Sequence, residues 1–469
     1  MSRTRMSAAD AAWLRMDRPT NLMVVTSVMW FEDRLDRATL EDLLATRVIA
    51  RFPRFSQRVV EEHGLFWEDV DDFELTDHVH LVHLPAPADQ DALEGFTSSL
   101  VSVALPHDRP LWDLYLVDTY GDGCAMVFRM HHAIADGIAL ARVLLSLTDE
   151  PDEDAADFTE PTEHGASGLA AGLHAGLDLA LHPGRLVSRA APGQLLQLAQ
   201  TAVADAASLT RLALLPADPP TALRGEVGIT KQVVWSPPIA LDELRECAHG
   251  AGATVNDLLL AAVAGALRTH LVRERSQVHD IRAIVPLNLR SPALPLPREL
   301  GNMFGLVYLS LPLTTARRAD RLREMTRRTS AVKSSADGVV SYAVLELVGR
   351  SPGAVEDLAI DVFASKGTGV MTNVPGPRTP VTLAGRRLAG TIGWGPTSGD
   401  LGLGVALFSY AGSATIGLCV DTGTVADPRR MLDDVLLELT GLLRLTGRPD
   451  EAPHAGAAGA RAGSARTTE

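Results

Sequence analysis

The chain has 469 residues, a length typical of two or three domains. Hydrophobic residues make up 46% of the chain, which is enough to form hydrophobic cores. A formal net charge of −15 argues against a nucleic-acid-binding protein, because such proteins usually present a basic face. Three cysteines without paired spacing exclude a cysteine zinc site and fit a reducing compartment. The N-terminus lacks the apolar core of a signal peptide, and the longest apolar run, residues 258–267, is too short to span a bilayer. We therefore expect a cytoplasmic protein that is at most bound to a membrane surface.

Strand-like and helix-like segments alternate over residues 1–150, a pattern typical of an α/β fold. The predicted strands span 24–32, 111–120 and 124–130, and the predicted helices span 40–52 and 137–147. The segment HHAIADG therefore lies where a strand ends and a helix begins, a position at which α/β proteins often place catalytic groups. We predict that residues 1–150 form an N-terminal domain.

An acidic, proline-containing segment opens a predicted linker or crossover over residues 151–225. Within it, residues 168–215 are rich in Leu and Ala with helical periodicity, and two interpretations are open: helices that pack between domains, or an amphipathic surface that faces lipid. Strand and helix patterns return over residues 226–448, which we predict to be a C-terminal domain. Residues 449–469 are small and polar, and we predict that they are disordered.

The segment HHAIADG places His131 and His132 side by side, followed by Asp136 and Gly137. A histidine at the end of a strand can accept a proton near neutral pH, because its unperturbed pKa is about 6.5. The aspartate can orient a ring or hold the loop, and the glycine permits a tight entry into the helix. The residues alone leave three interpretations open: structural packing, a metal site that includes Asp136, and a general base.

HHAIADG has the HHxxxDG form shared by CoA-dependent acyltransferases related to chloramphenicol acetyltransferase and by peptide-synthetase condensation domains. Within that superfamily, the sequence most resembles the bacterial wax ester synthase/diacylglycerol acyltransferases. The other stretches that carry the resemblance are PLWDLYLVD (110–118), TVNDLLLAAVAGALR (254–268), LGNMFGLVYLSLP (300–312), MTNVPGP (371–377) and SYAGSATIGLCVD (409–421). In this order and spacing the set is highly specific, and the likeness covers nearly the whole folded chain.

The resemblance implies an α/β fold of two chloramphenicol-acetyltransferase-like domains, each a mixed β-sheet with flanking helices, with an active-site tunnel at their interface. It implies that His132 is the general base and that His131 supports the position of its ring. Asp136 is expected to point away from substrate, pair with an arginine and hold the loop, while Gly137 permits the turn. The sequence leaves open which arginine this is.

The other motifs give further candidate site residues. Asn256 is expected in the reaction chamber, where it supports the loop or donates a hydrogen bond to substrate. Asp257 is expected either to cap a helix or to belong to the site. The residues expected to line the substrate cleft are Asn373, Pro375 and Gly376, and those expected to pack structurally are Pro110, Leu111 and Trp112.

The implied reaction is the transfer of a fatty acyl group from acyl-CoA to diacylglycerol or to a long-chain alcohol, with no metal and no cofactor besides the acyl-CoA substrate. The resemblance also implies peripheral association with a membrane or lipid droplet. Residues 315–333 carry seven Lys and Arg residues, which predicts either a solvated helix or a surface for CoA phosphates or anionic lipids. Two alternatives are open: a condensation-type enzyme with another acyl thioester or acceptor, and a non-catalytic lipid-binding or droplet protein.

Overall fold

A computed structural model describes residues 3–149, 214–290, 296–333, 337, 341–342, 360–397, 399 and 401–446. The segment 168–213, where helices are predicted, and the tail 449–469 lie outside these residues.

The helices and strands of the described residues form two lobes. The strands are β1 (Arg3–Arg5), β2 (Val24–Phe31), β3 (Gln57–Glu61), β4 (Leu65–Asp69), β5 (Val79–Val82), β6 (Trp112–Tyr120), β7 (Gly123–His131), β8 (Lys231–Trp235), β9 (Ile239–Ala240), β10 (Ile281–Asn288), β11 (Phe304–Leu311), β12 (Gly369–Pro375), β13 (Thr382–Leu383), β14 (Arg386–Trp394), β15 (Leu403–Tyr410) and β16 (Ser413–Asp421). The main helices are α1 (Ala8–Arg15), α2 (Arg37–Leu43), α3 (Gln90–Val101), α4 (Gly137–Leu145), α5 (Leu241–Gly250), α6 (Val255–Arg273), α7 (Arg318–Lys333) and α8 (Pro428–Thr446).

The N-terminal lobe is built on a six-stranded sheet in the order β13-β14-β2-β7-β6-β5, and a small sheet β1-β4-β3 lies beside it. The central strand β7 is buried along its whole length. Phe128 packs in the core of this lobe, whereas its neighbour Val127 packs on the opposite face with Trp235 of the other lobe. Burial on both faces explains why the sequence of β7 is a mostly continuous apolar run and does not alternate between apolar and polar residues.

The C-terminal lobe is built on a seven-stranded sheet in the order β11-β10-β12-β15-β16-β8, with β9 also paired to β16. The sheet is mixed, because β12 runs parallel to both β10 and β15 while the other neighbours are antiparallel. Among the described residues, α6 is the one helix that is long and apolar enough to cross a membrane, but 72% of its apolar window is buried inside the protein. Its burial between the sheet and α8 fits a core helix.

A strand from late in the chain joins the first lobe. The strand β14 pairs antiparallel with β2, so that Ile392 lies opposite Val28. The same strand ends at Trp394, which packs with Trp235 between the two sheets. The pairing of β14 with β2 therefore joins the two lobes through backbone hydrogen bonds as well as through side-chain packing.

Three predicted strands and one predicted helix near the motif are observed as β2, β6, β7 and α4. The helix predicted over 40–52 differs in detail. It starts at Arg37 as α2 and continues from Leu44 to Ile49 as a wider π-helical segment. The apolar positions of this segment still face the core, because Leu40, Leu44 and Val48 are all buried.

Candidate active site

The motif forms the turn between β7, which ends at His131, and α4, which begins at Gly137. Asp136 caps this helix, because its Oδ1 accepts the Ala139 N–H at 2.8 Å. The resemblance implies that Gly137 permits the turn. Its φ lies outside the left-handed region, and an added Cβ would meet no protein atom within 4 Å, so the absent side chain leaves open space beside the motif.

The ring of His132 lies in an aromatic setting at the junction of the lobes. It stacks on Trp13 with 4.3 Å between ring centroids, and Phe304 flanks it at 5.4 Å. Its Nδ1 lies 2.9 Å from Oδ1 of Asn302, a residue of the other half of the chain. Because an amide oxygen can only accept, Nδ1 must carry the proton, and Nε2 keeps its lone pair.

Burial keeps His132 uncharged. Desolvation lowers the pKa of His132 to about 4, and the Asp136 carboxylate opposes part of that shift. The imidazole is therefore neutral at physiological pH, which is the form that can accept a proton. The residue is 6% exposed, so the ring is almost wholly enclosed by protein.

The neighbouring His131 is fully buried and makes different contacts. Its Nδ1 accepts the Ala133 N–H at 3.0 Å, which stabilises the turn, and its Nε2 lies 3.8 Å from Oδ2 of Asp17. His107 approaches the same carboxylate oxygen at 3.5 Å. His131 thus contacts the turn through Ala133 and also lies beside Asp17.

Asp17, His107 and His131 form the one group in the described part of the chain whose spacing could suit a metal ion. The hydrogen bonding does not fit that role. A metal-ligating histidine normally donates a hydrogen bond from its second ring nitrogen, whereas Nδ1 of His131 accepts one. The proton of the neutral ring is therefore on Nε2, the atom that would have to bind the metal. These three residues are better explained as a carboxylate between two imidazoles.

The arginine that the sequence leaves open is Arg290, whose Nη2 lies 3.4 Å from Oδ2 of Asp136. The same carboxylate oxygen accepts the Met303 N–H at 3.1 Å. Arg290 also donates to the carbonyl of Gly301 at 2.9 Å, and the Gly301 N–H donates to the carbonyl of Ile134 at 3.1 Å. Asp136 therefore holds the loop of the motif against the segment 301–303.

Two motif asparagines lie together although 117 positions separate them: Nδ2 of Asn373 donates to Oδ1 of Asn256 at 3.0 Å. The adjacent Asp257 has a different role, because it forms a reciprocal capping box with Thr254 at the start of α6. Asp257 also accepts a hydrogen bond from Thr329 Oγ1 at 2.5 Å and is buried. The helix-capping alternative for Asp257 is thus the one the contacts support.

The segment after Asn373 lies beside a gap in the second sheet. The parallel ladder between β10 and β12 joins only two residue pairs, the last of which is Ile284 with Val370. Beyond them, β10 stays paired with β11 and β12 stays paired with β15, so the two strands separate. Pro375 ends β12, and a Cβ on Gly376 would lie 2.4 Å from the Ser409 carbonyl oxygen. Glycine is required here because the backbone of β15 passes so close.

The Pro-Leu-Trp motif packs inside the first lobe. Pro110, Leu111 and Trp112 are all buried. The indole Nε1 of Trp112 donates to the carbonyl of Phe55 at 2.7 Å, which satisfies its polar atom inside the core.

Most of the basic segment 315–333 forms α7, and many of its charges are paired within the protein. Arg321 is buried and forms an ion pair with Glu438, and Arg327 and Arg328 both pair with Glu324. Pairing of this kind leaves less net positive charge for a phosphate group than the sequence suggests.

Some residues around His132 were not singled out by the sequence. Asn302 belongs to the LGN stretch, which could have drawn attention to it, and Arg290 is one of many arginines. Asp10 and Trp13 lie on α1 without a recognised motif, and only their buried contacts with Asn302 and His132 identify them.

Two mixed sheets with an HHxxxDG turn and a buried, neutral histidine at their junction define the chloramphenicol-acetyltransferase-like class of acyltransferase folds, as expected from the sequence. A family model described as wax ester synthase/diacylglycerol acyltransferase catalytic domain matches residues 6–259, and a model of the C-terminal domain of the same family matches residues 300–442. The chain belongs to the wax ester synthase/diacylglycerol acyltransferase family.

Individual relatives agree with this assignment. The chain is 26% identical over 456 residues to a Mycobacterium tuberculosis H37Rv protein named "Probable diacyglycerol O-acyltransferase tgs1", a match that covers 93% of this chain and 96% of the relative. The solved wax ester synthase/diacylglycerol acyltransferase from Marinobacter aquaeolei VT8 is 21% identical with a TM-score of 0.66, and the match covers 95% of this chain and 100% of that one. The first condensation domain of the calcium-dependent antibiotic synthetase is 15% identical with a TM-score of 0.59, covering 96% and 97% of the two chains.

Proposed function

We propose that this chain transfers a fatty acyl group from acyl-CoA to the hydroxyl group of diacylglycerol or of a long-chain alcohol, with His132 as the general base. The observation that carries the proposal is the state of the His132 ring, which is neutral, protonated on Nδ1 and therefore basic at Nε2. The family name and the printed name of the mycobacterial relative support the choice of donor and acceptor.

The proposed reaction balances without a covalent enzyme intermediate. Nε2 of His132 takes the hydroxyl proton while the acceptor oxygen forms a bond to the thioester carbonyl carbon, a kind of assistance worth roughly 10²–10⁴ in rate. The tetrahedral oxyanion then collapses, the carbon–sulfur bond breaks, and CoA leaves as a thiolate that takes the proton back from the imidazolium. A thiol with a pKa near 8.5 is a good leaving group, so strong acid assistance is unnecessary. No metal or further cofactor takes part in this scheme.

Asn256, with its partner Asn373, is proposed to contact substrate in the reaction chamber. Each amide keeps hydrogen-bonding capacity beyond their mutual bond of 3.0 Å. An amide N–H aimed at the oxyanion would stabilise the transition state by about 3–4 kcal/mol. Pro375 and Gly376 are proposed to shape the same cleft, because they follow Asn373 beside the gap between β10 and β12.

The chemistry of the acceptors implies a water–lipid boundary as the place of reaction. Diacylglycerol and long-chain alcohols dissolve in membranes and lipid droplets, so we propose peripheral binding at such a surface. Carbonate or high-salt washing should then release the protein from membranes. Retention after both washes would argue against peripheral binding.

The test is a product analysis with purified protein. Radiolabelled palmitoyl-CoA is incubated with diacylglycerol, with hexadecanol, or with an amine acceptor, and the lipid products are separated. We expect labelled triacylglycerol or wax ester from the wild type and none above background from His132→Ala. An amide product alone would favour the condensation-type alternative, and binding of lipid without any turnover would favour the non-catalytic one. The folded state of His132→Ala is checked by circular dichroism.

A further inference from the structure

We infer that Asp10 and Asn302 are positioning residues, which hold His132 in the tautomer that leaves Nε2 free to accept a proton. The inference rests on the proposed function insofar as it assumes that Nε2 is the base. It adds two residues, one from each half of the chain, to the machinery of the reaction.

The orientation of the Asn302 amide is fixed by its own contacts. Its Nδ2 donates to Oδ1 of Asp10 at 2.8 Å and to the main-chain carbonyl of His132 at 2.9 Å. Both partners present oxygen atoms that accept, so a reversed amide would place oxygen against oxygen twice. The amide oxygen must therefore face Nδ1 of His132, at 2.9 Å.

Asp10 is built into the protein as an acceptor for Asn302. The carboxylate is 3% exposed, and its Oδ1 accepts both the backbone N–H of Asn302 at 3.1 Å and the side-chain N–H. Burial raises the pKa of the Asp10 carboxyl overall, whereas its hydrogen bonds from Asn302 and the positive charge of Arg54 favour the ionised form. Burying a carboxyl group without such partners costs free energy. The position of Asp10 beside Asn302 therefore indicates a specific role.

This arrangement also makes the base dependent on the docking of the two lobes. Asp10 and His132 belong to the first lobe, whereas Asn302 lies two residues before the start of β11 in the second lobe. When the lobes are apart, Nδ1 of His132 loses its contact with the amide oxygen of Asn302. The relay Asp10–Asn302–His132 is therefore complete only in the closed molecule.

The tautomer can be measured without activity, by ¹⁵N NMR of protein labelled in its histidine rings. Subtraction of the His132→Ala spectrum identifies the two ring signals of His132 among the 14 histidines. In the wild type we expect a protonated Nδ1 and an unprotonated Nε2. In Asn302→Leu, which has nearly the same shape but no amide, we expect a substantial Nε2-protonated population. A wild-type ring with its proton on Nε2, or an unchanged tautomer in Asn302→Leu, would overturn the inference.

Enzyme kinetics with three variants test the relay Asp10–Asn302–His132 independently of the NMR measurement. Asn302→Leu and Asp10→Leu should lower kcat about 10²-fold while KM for either substrate changes less than about threefold, since loss of the correct histidine tautomer affects chemistry and not binding. Asp10→Asn keeps an oxygen acceptor for Asn302 and should retain activity within about fivefold. Equal losses in Asp10→Asn and Asp10→Leu would contradict a hydrogen-bonding role for Asp10.

Asn21 offers a matched control. It is also a buried asparagine that bridges the two halves of the chain, through the carbonyl of Leu401 and the hydroxyl of Thr397, but it has no contact with His132. Asn21→Leu should leave the His132 tautomer unchanged, whatever it does to stability. If the wild type shows the expected tautomer but no acyl transfer, the proposed function fails and the positioning of His132 stands. If the wild type transfers acyl groups with the His132 proton on Nε2, acyl transfer stands and the positioning of His132 by Asp10 and Asn302 fails.

Discussion

Arg290 lies 3.4 Å from Asp136 across the junction of the lobes, and both side chains are nearly buried, with 10% and 4% exposure. This pair connects the loop of the histidine motif to a residue 154 positions away. Asp136 thus makes three contacts at once: it caps α4, accepts the Met303 N–H and pairs with Arg290.

Asp136→Asn should destabilise the protein more than the loss of an exposed ion pair would, because Arg290 is left without its charged partner at a nearly buried position. We expect the free energy of unfolding to fall by about 2–4 kcal/mol, together with a lower activity. A denaturant titration of the single variants and of Asp136→Asn/Arg290→Gln measures the coupling. A coupling energy of at least about 0.5 kcal/mol is expected, and strict additivity would show that the pair contributes nothing.

The activity should persist to an acidic pH. The base is active when neutral, and burial lowers the pKa of His132 below the ordinary histidine value of about 6.5, so protonation inactivates it only at a lower pH. The acid limb of the kcat/KM profile should therefore lie below pH 6.5. Removal of the Asp136 charge should move that limb to a still lower pH, because the carboxylate raises the pKa of His132. A limb at or above the ordinary value would contradict the buried, neutral state of the ring.

Trp112→Phe tests whether the Pro-Leu-Trp motif is structural. The substitution removes the donor to the Phe55 carbonyl and leaves a small cavity in the core. We expect a loss of about 2–4 kcal/mol in the free energy of unfolding, with kcat of the folded enzyme within about threefold of the wild type. Thermal unfolding and initial rates at a temperature below the transition check both parts. A large fall in kcat without destabilisation would point to a contact with substrate.

Gly376→Ala should separate β12 from β15 at their ends. The new methyl group would lie 2.4 Å from the Ser409 carbonyl oxygen, so the backbone must shift to admit it. We expect the stability to fall by about 1–3 kcal/mol and KM to rise, because the neighbouring Asn373 moves with the strand. Gly137→Ala is a suitable comparison, since its Cβ meets no protein atom within 4 Å. A loss of activity without loss of stability in Gly137→Ala would indicate that substrate occupies that open space.

Asn256 and Asn373 should show coupled effects on catalysis. Each single alanine variant breaks the same hydrogen bond of 3.0 Å, so the double variant should lose much less than the product of the two single losses. Asn256→Ala should lower kcat by about 10²-fold if its amide supports the oxyanion. Asn373→Ala, whose side chain is exposed, should act more weakly. Independent, multiplicative losses would show that the two amides act separately.

The sequence by itself determined the local features of this protein. Hydrophobic runs predicted β2, β6 and β7, and the order of the histidine motif placed the turn between a strand and a helix. Helix caps such as Asp136 and the Thr254–Asp257 box are also local, because the partners are three residues apart. The resemblance in five further stretches then gave the family and the fold.

Only the tertiary structure decided which distant residues meet. Asn302 and Asp10 contact each other across 292 positions, and Asn302 reaches His132 across 170. The entry of β14 into the first sheet likewise follows from no periodicity in the chain. Periodicity and spacing record how a segment arranges its own side chains, whereas such contacts depend on the path of the whole backbone and on the exclusion of water where the lobes pack. That same exclusion of water makes His132 a neutral base, a property that its motif alone does not determine.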